Sequence, residues 1–166
     1  LGDVYKRQAS EFGSSNNYAE SDLKKAVDKW LEDMGKRGLD NAKLIPREID
    51  LTTLDGSGCY GKLSVKAAPL TLDEARKYAD IIPNAERWCW LATGWSGPSK
   101  SDGDLALCVN SNGGWNGSSC SYSSGIRPAL KAPSILFEDS EAGLDLSKIP
   151  TDDLLQEIHR RLAEKA

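Results

Sequence analysis

The chain has little of what most binding and catalytic classes require. Its 166 residues carry 21 Lys and Arg against 25 Asp and Glu, a net charge of −4, and the basic residues are dispersed rather than gathered in an arm. That argues against nucleic acid and anionic membranes as partners. No apolar run approaches the ~20 residues that span a bilayer, and no signal peptide is visible. The one histidine, His159, sits beside Arg160 and Arg161. At a helix end it reads as a solvated basic residue rather than a general base. G-x-S-x-G, the Walker loop and H-E-x-x-H are missing, and a Ser-His-Asp site would have to recruit that same histidine. The four cysteines, Cys59, Cys89, Cys108 and Cys120, are 30, 19 and 12 positions apart, so no C-x-x-C supports a zinc knuckle. Cys89, between two tryptophans, reads as a small core residue. Cys108 and Cys120 bracket a polar run and could face each other across a hairpin; an intracellular chain would keep both as thiols.

What is present is a contrast. Four of the five tryptophans (Trp88, Trp90, Trp95, Trp115) frame the sixteen residues Asn110 to Gly125, of which thirteen are Asn, Gly or Ser. Tryptophan supplies large apolar anchors, whereas a polar run alone would not repay its ordering entropy. The combination reads as a rigid scaffold presenting a polar surface, which suits binding better than catalysis.

Along the chain, residues 1–14 (LGDVYKRQASEFGS) lack periodicity and end like a cloning or read-derived junction, so they read as a disordered or non-native leader. From Leu23, the residues Ala26, Val27, Trp30, Leu31 and Met34 form one helical stripe, with Ser21 as its cap. Ile49 and Leu51 favour a short strand before a DGSG turn. Thr71 and Glu74 form a capping box for a second helix, with Leu72, Ala75, Tyr78 and Ala79 as its buried face and Pro83 as its stop. The pattern then turns to β: WCWLAT, then DLALCVNS with Leu105, Leu107 and Val109 alternating. A turn at Gly113–Gly114 and a return strand from Trp115 follow. The segment IRPALKAPSILFE is expected to close the sheet. Residues 139–150 read as an acidic linker. Residues 151–166 read as an amphipathic helix capped by Thr151, with Leu154, Leu155, Ile158 and Leu162 as its stripe. The class is α+β, two helices with small antiparallel sheets and long loops.

The blocks NNYAESDL, PLTLDEARKYADIIPNAERWCWLATGWS, CVNSNG and SGIRPAL, in that order over roughly Asn16 to Phe137, resemble a bacterial and phage domain of unknown function with a C-type-lectin-like fold. Two departures stand out: Cys89 replaces the middle aromatic of the family's WWW, and Gly94 replaces the proline before Trp95. The resemblance implies a lectin-like domain over residues 15–138. It also implies a phage virion, bacterial cytoplasm or cell surface as its setting. Some domains of this fold are variable proteins of diversity-generating retroelements. Asn, Ser, Gly, Tyr and Cys, which dominate Asn110 to Ser124, are reachable from AAY codons by changing adenines, whereas Trp115 is not. An ordinary polar loop has the same composition. The same fold includes formylglycine-generating oxygenases, for which Cys108 and Cys120 would be the only pair here.

The expected ligand-binding face is Asn110, Asn112, Trp115, Asn116, Ser118, Ser119, Ser121, Tyr122 and Ser123, a mixture like that of antibody loops. If exposed, Trp115 is its hot spot; if buried, it anchors the hairpin. Arg127 reads as scaffold, paired to a carboxylate or backbone carbonyls. Asp102 and Asp104 are a weak oxygen pair, and the EPN, QPD and WND marks of calcium-dependent sugar binding are missing, so no metal and no cofactor are expected. The reading is a non-enzymatic domain that binds a protein or glycan through residues 110–124. The alternative is an assembly module whose C-terminal helix takes a protein partner.

Overall fold

The computed structural model describes residues 9–133. The chain divides after Lys131 into two units, and every described element lies in the first. The expected linker 139–150, the helix 151–166 and His159 lie outside the described residues.

A five-stranded sheet organises the fold, in the order Ala9–Glu11 (β1), Ser123–Gly125 (β8), Cys89–Gly94 (β5), Leu105–Val109 (β6) and Trp115–Ser119 (β7). All neighbours are antiparallel except β5 and β8, which run parallel and meet at Cys89↔Gly125. Two ribbons accompany it: β2 (Arg47–Asp50) with β3 (Lys62–Val65), and β4 (Ala67–Ala68) with β9 (Ala129–Leu130). Mixed sheets with two helices make this an α+β fold.

Helix α1 (Asp22–Lys36) begins where the Lys24 amide donates to Ser21 Oγ at 2.9 Å. It buries Leu23, Val27 and Trp30 on the stripe that its 3.6-residue period predicts. Helix α2 (Leu72–Lys77) carries the complete capping box: the Glu74 amide donates to Thr71 Oγ1, and the Thr71 amide donates to Glu74 Oε2. It is shorter than expected. Leu72 and Ala75 are buried, but Tyr78 and Ala79 are exposed. The β-branched pair Ile81–Ile82 and the restriction that Pro83 places on its predecessor favour turns here, and the amides of Ile81 and Ile82 both donate to the Tyr78 carbonyl.

Strands β5 and β6 are buried on both faces, which strict alternation would not show. Trp90, Ala92, Ala106 and Cys108 face the larger core with Phe12, Tyr18 and the α1 stripe. Leu91 and Leu107 face a smaller one with Leu72 and Ala75 of α2. Its two central strands are thus a layer between two apolar clusters, while β1, β7 and β8 meet solvent.

Two expectations are corrected. Residues 1–14 are not wholly a leader: Ala9–Glu11 pairs with β8, the Trp90 indole donates to the Ser10 carbonyl at 2.8 Å, and Phe12 is 0% exposed. A three-residue strand followed by one core aromatic is too short to show a period, so only tertiary pairing reveals it. Among the described residues, the segment from Ile126 does not close the main sheet either. It contributes β9, paired with β4, and a bridge from Lys131 to Ile45, and Pro128 cannot donate to a ladder. Strands β1 and β8 take that place.

Asn16, fully buried, explains the glycine at position 94. Its amide donates to the carbonyls of Ser96 (2.9 Å) and Leu105 (3.0 Å), and its oxygen accepts from the Tyr60 hydroxyl at 2.6 Å. A Cβ at Gly94 would lie 2.9 Å from Asn16 Cγ, so only glycine lets the strand pass this close.

Candidate functional site

The β6–β7 hairpin forms as its turn residues dictate. Gly113 has φ +83°, and Asn110 Oδ1 accepts the amides of Asn112 and Gly114, each at 2.9 Å. Asn110 therefore acts within the turn, and Asn112 lies exposed at its tip. Trp115 opens β7 and is 44% exposed, with the Arg76 guanidinium 5.2 Å from its ring centroid. It lines a small cleft of about 90 Å³ with Ala75, Ile82, Leu91 and Val109.

The rest of the polar run turns elsewhere. Asn116, Ser118, Ser119, Tyr122 and Ser123 line an open groove of about 880 Å³, together with Arg87, Trp88 and Ser124. Ser121 stands at its border, its hydroxyl 3.0 Å from that of Ser119. The nine expected residues thus divide: five line the groove, Ser121 adjoins it, Asn110 and Asn112 make the hairpin turn, and Trp115 belongs to the cleft under α2. Arg87 and Trp88 were not on the sequence-based list. Their place just before an apolar run was the available signal, but only the parallel pairing of β5 and β8 brings them into the groove that Tyr122 lines.

Both walls of the groove are fixed by backbone. Cys120 is 2% exposed, and its amide donates to the Asp104 carbonyl at 2.8 Å. Its own carbonyl accepts the amides of Phe12 and Gly13 at 2.9 and 3.1 Å. The next turn closes where the Tyr122 amide donates to the Ser119 carbonyl, leaving Tyr122 65% exposed on an anchored base. On the other wall, the Gly125 amide donates to the Trp88 carbonyl at 2.8 Å, and Trp88 is 42% exposed. Gly117 completes the arrangement. A Cβ there would come within 2.6 Å of Trp95 Cε3, so a bare backbone lets that indole pack on β7. Arg127 donates to the Pro83 carbonyl at 2.7 Å, one of the two kinds of partner expected for it.

The cysteines are all free thiols. Cys108 does not face Cys120 across the hairpin: its register partner is Asn116, whose carbonyl accepts from the Cys108 thiol at 3.3 Å. Burial pushes the Cys108 thiol up to about 11, with Cys89 adding to the effect. Burial pushes Cys120 up to about 12, reinforced by the nearby Asp104. Burial also raises Cys89, against the opposing pull of Arg127 and Arg87. A thiol held protonated is a poor nucleophile. Among the described residues, no three His, Cys, Asp or Glu side chains gather into a group that could hold a metal ion.

No family model matches the chain, and no curated protein or solved structure matches it.

Proposed function

We propose that this chain is a non-enzymatic, C-type-lectin-like binding domain whose groove takes a saccharide. The observation that carries the reading is the pairing of exposed aromatic rings, Trp88 and Tyr122, with the hydroxyls and amide of Ser118, Ser119, Ser123 and Asn116 in one open groove. An aromatic face is the negative side of a quadrupole and attracts the weakly positive C–H face of a sugar ring. Serine and asparagine both donate and accept, as ring hydroxyls require. Backbone anchoring at Cys120 and Gly125 holds both walls in place before a ligand arrives, which lowers the ordering cost of binding. Among the described residues that line it, the groove has no thiolate, histidine or carboxylate, and the hydroxyls, amide and rings that it does present suit recognition.

The test is a glycan microarray probed with the labelled protein, Trp88→Ala, Tyr122→Ala and Asn112→Ala. The expected result is a defined set of bound glycans. Their signal falls about tenfold or more in the two groove variants, as loss of a central aromatic contact does, and is unchanged in Asn112→Ala. A blank array, or equal binding by all four proteins, overturns the reading; binding of a polypeptide instead would make the groove a protein-docking surface.

A further inference from the structure

Within the groove one side chain differs in kind from the rest. Arg87 is the sole charged residue among the described residues that line it; the others are Ser, Asn, Gly, Ala, Leu, Tyr and Trp. Its position depends on a glycine. A Cβ built on Gly125 would lie 2.9 Å from Arg87 Cδ and 2.9 Å from the Trp88 carbonyl oxygen, so the arginine stem lies across bare backbone where any other residue would displace it. The same glycine is the single bridge between β5 and β8 and the donor to Trp88. Sheet pairing therefore brings Arg87 and the exposed Trp88 together in the lining of a hydroxyl-rich groove.

We infer that the groove is selective for an acidic saccharide, one whose ring bears a carboxylate, with Arg87 as the residue that recognises the charge. This rests on the saccharide reading above and narrows it. A guanidinium presents a planar fork that meets a carboxylate with two parallel N–H···O bonds, which a lysine ammonium cannot reproduce. One cation among the described lining residues matches one carboxylate rather than a multiply charged phosphate group. A net charge of −4 gives an acidic ligand no long-range attraction to the chain as a whole, so recognition falls to a local cation. Ring packing on Trp88 or Tyr122 and hydrogen bonds from Ser118 and Asn116 then serve acidic and neutral sugars alike, so Arg87 decides between them.

The experiment compares titrations of 3′-sialyllactose, a glucuronate-containing tetrasaccharide, 6-sulfolactose and neutral lactose into the full chain and into Arg87→Gln, Arg87→Lys and Trp88→Ala. Arg87 is exposed, so its variants are expected to fold, which circular dichroism checks. A carboxylated sugar is expected to bind the native chain at least about tenfold more tightly than lactose, as loss of one charge-assisted hydrogen bond implies. Arg87→Gln should erase that preference, and Arg87→Lys should restore only part of it. Added salt should weaken the acidic ligand and leave lactose unchanged. If lactose binds as tightly as the acids, with loss in Trp88→Ala but not in Arg87→Gln, the acidic selectivity is overturned and the saccharide groove stands. Preference for the sulfated sugar overturns the carboxylate assignment. If none of the four binds, both readings fall.

Discussion

Phe12→Ala separates a leader from a structural N-terminal strand. Phe12 is 0% exposed and meets two rings edge-on, with centroids 5.5 Å away at Trp90 and 6.5 Å away at Tyr18. Truncating a buried phenylalanine costs about 3–5 kcal/mol through lost transfer energy and the residual cavity. The upper half applies here, because each aromatic pair adds about 0.5–1.5 kcal/mol beyond its buried area. The loss is a large part of the roughly 5–15 kcal/mol by which a domain is stable. Urea unfolding followed by tryptophan fluorescence reads it directly. At unchanged slope the midpoint should fall by about 2 M, taking a slope of about 2 kcal/mol per molar. Thermal unfolding should drop by about 10–20 °C. Glu11→Ala, an exposed position of the same strand, should stay within about 0.5 kcal/mol. A Phe12→Ala loss below about 1 kcal/mol would refute the placement of β1 and its aromatic in the fold.

Glu74→Gln should cost about 1–3 kcal/mol, more than the ~1 kcal/mol of Thr71→Ala. Glu74 both caps α2 and pairs with Arg47, which also donates to the carbonyls of Ala68 and Pro69; matched urea curves check the order. Gly117→Ala should destabilise by about 1–3 kcal/mol by forcing the Trp95 ring off β7, visible as a shifted tryptophan emission in the folded state. At pH 8 a thiol reagent should modify Cys59, the exposed cysteine, and reach Cys89, Cys108 and Cys120 only on unfolding. The same burial sets a pH dependence. Below about 8.5, the ordinary thiol value, both states are protonated. Above it, the unfolded chain releases protons that native Cys108 and Cys120 keep until about 11 and 12. The unfolded state then binds fewer protons, so stability falls as pH rises through that window. The fall in urea midpoint between pH 7.5 and 10.5 should be smaller in the Cys108→Ala, Cys120→Ala double variant than in the native chain.

Local chemistry alone determined a good part of this protein. Strands β5 and β6 show as apolar runs, and β7 as the return strand after a turn. The α1 stripe, the Ser21 and Thr71 caps and the Asn110–Gly114 turn rest on contacts within a few residues. Such contacts leave a period or a capping pair in the chain. The tertiary structure decided the rest. It recruited Ala9–Glu11 as a strand and ran β8 parallel to β5. It also split the polar run between a turn, a cleft and a groove. The pairing of Cys89 with Gly125 closes a loop of dozens of residues for a single bridge, and nothing local encodes which partner a three-residue strand will find. The groove inherits that property. Tyr122 and its serines are conspicuous in the sequence, but Arg87 and Trp88 stand across from them only because the sheet closed in this order.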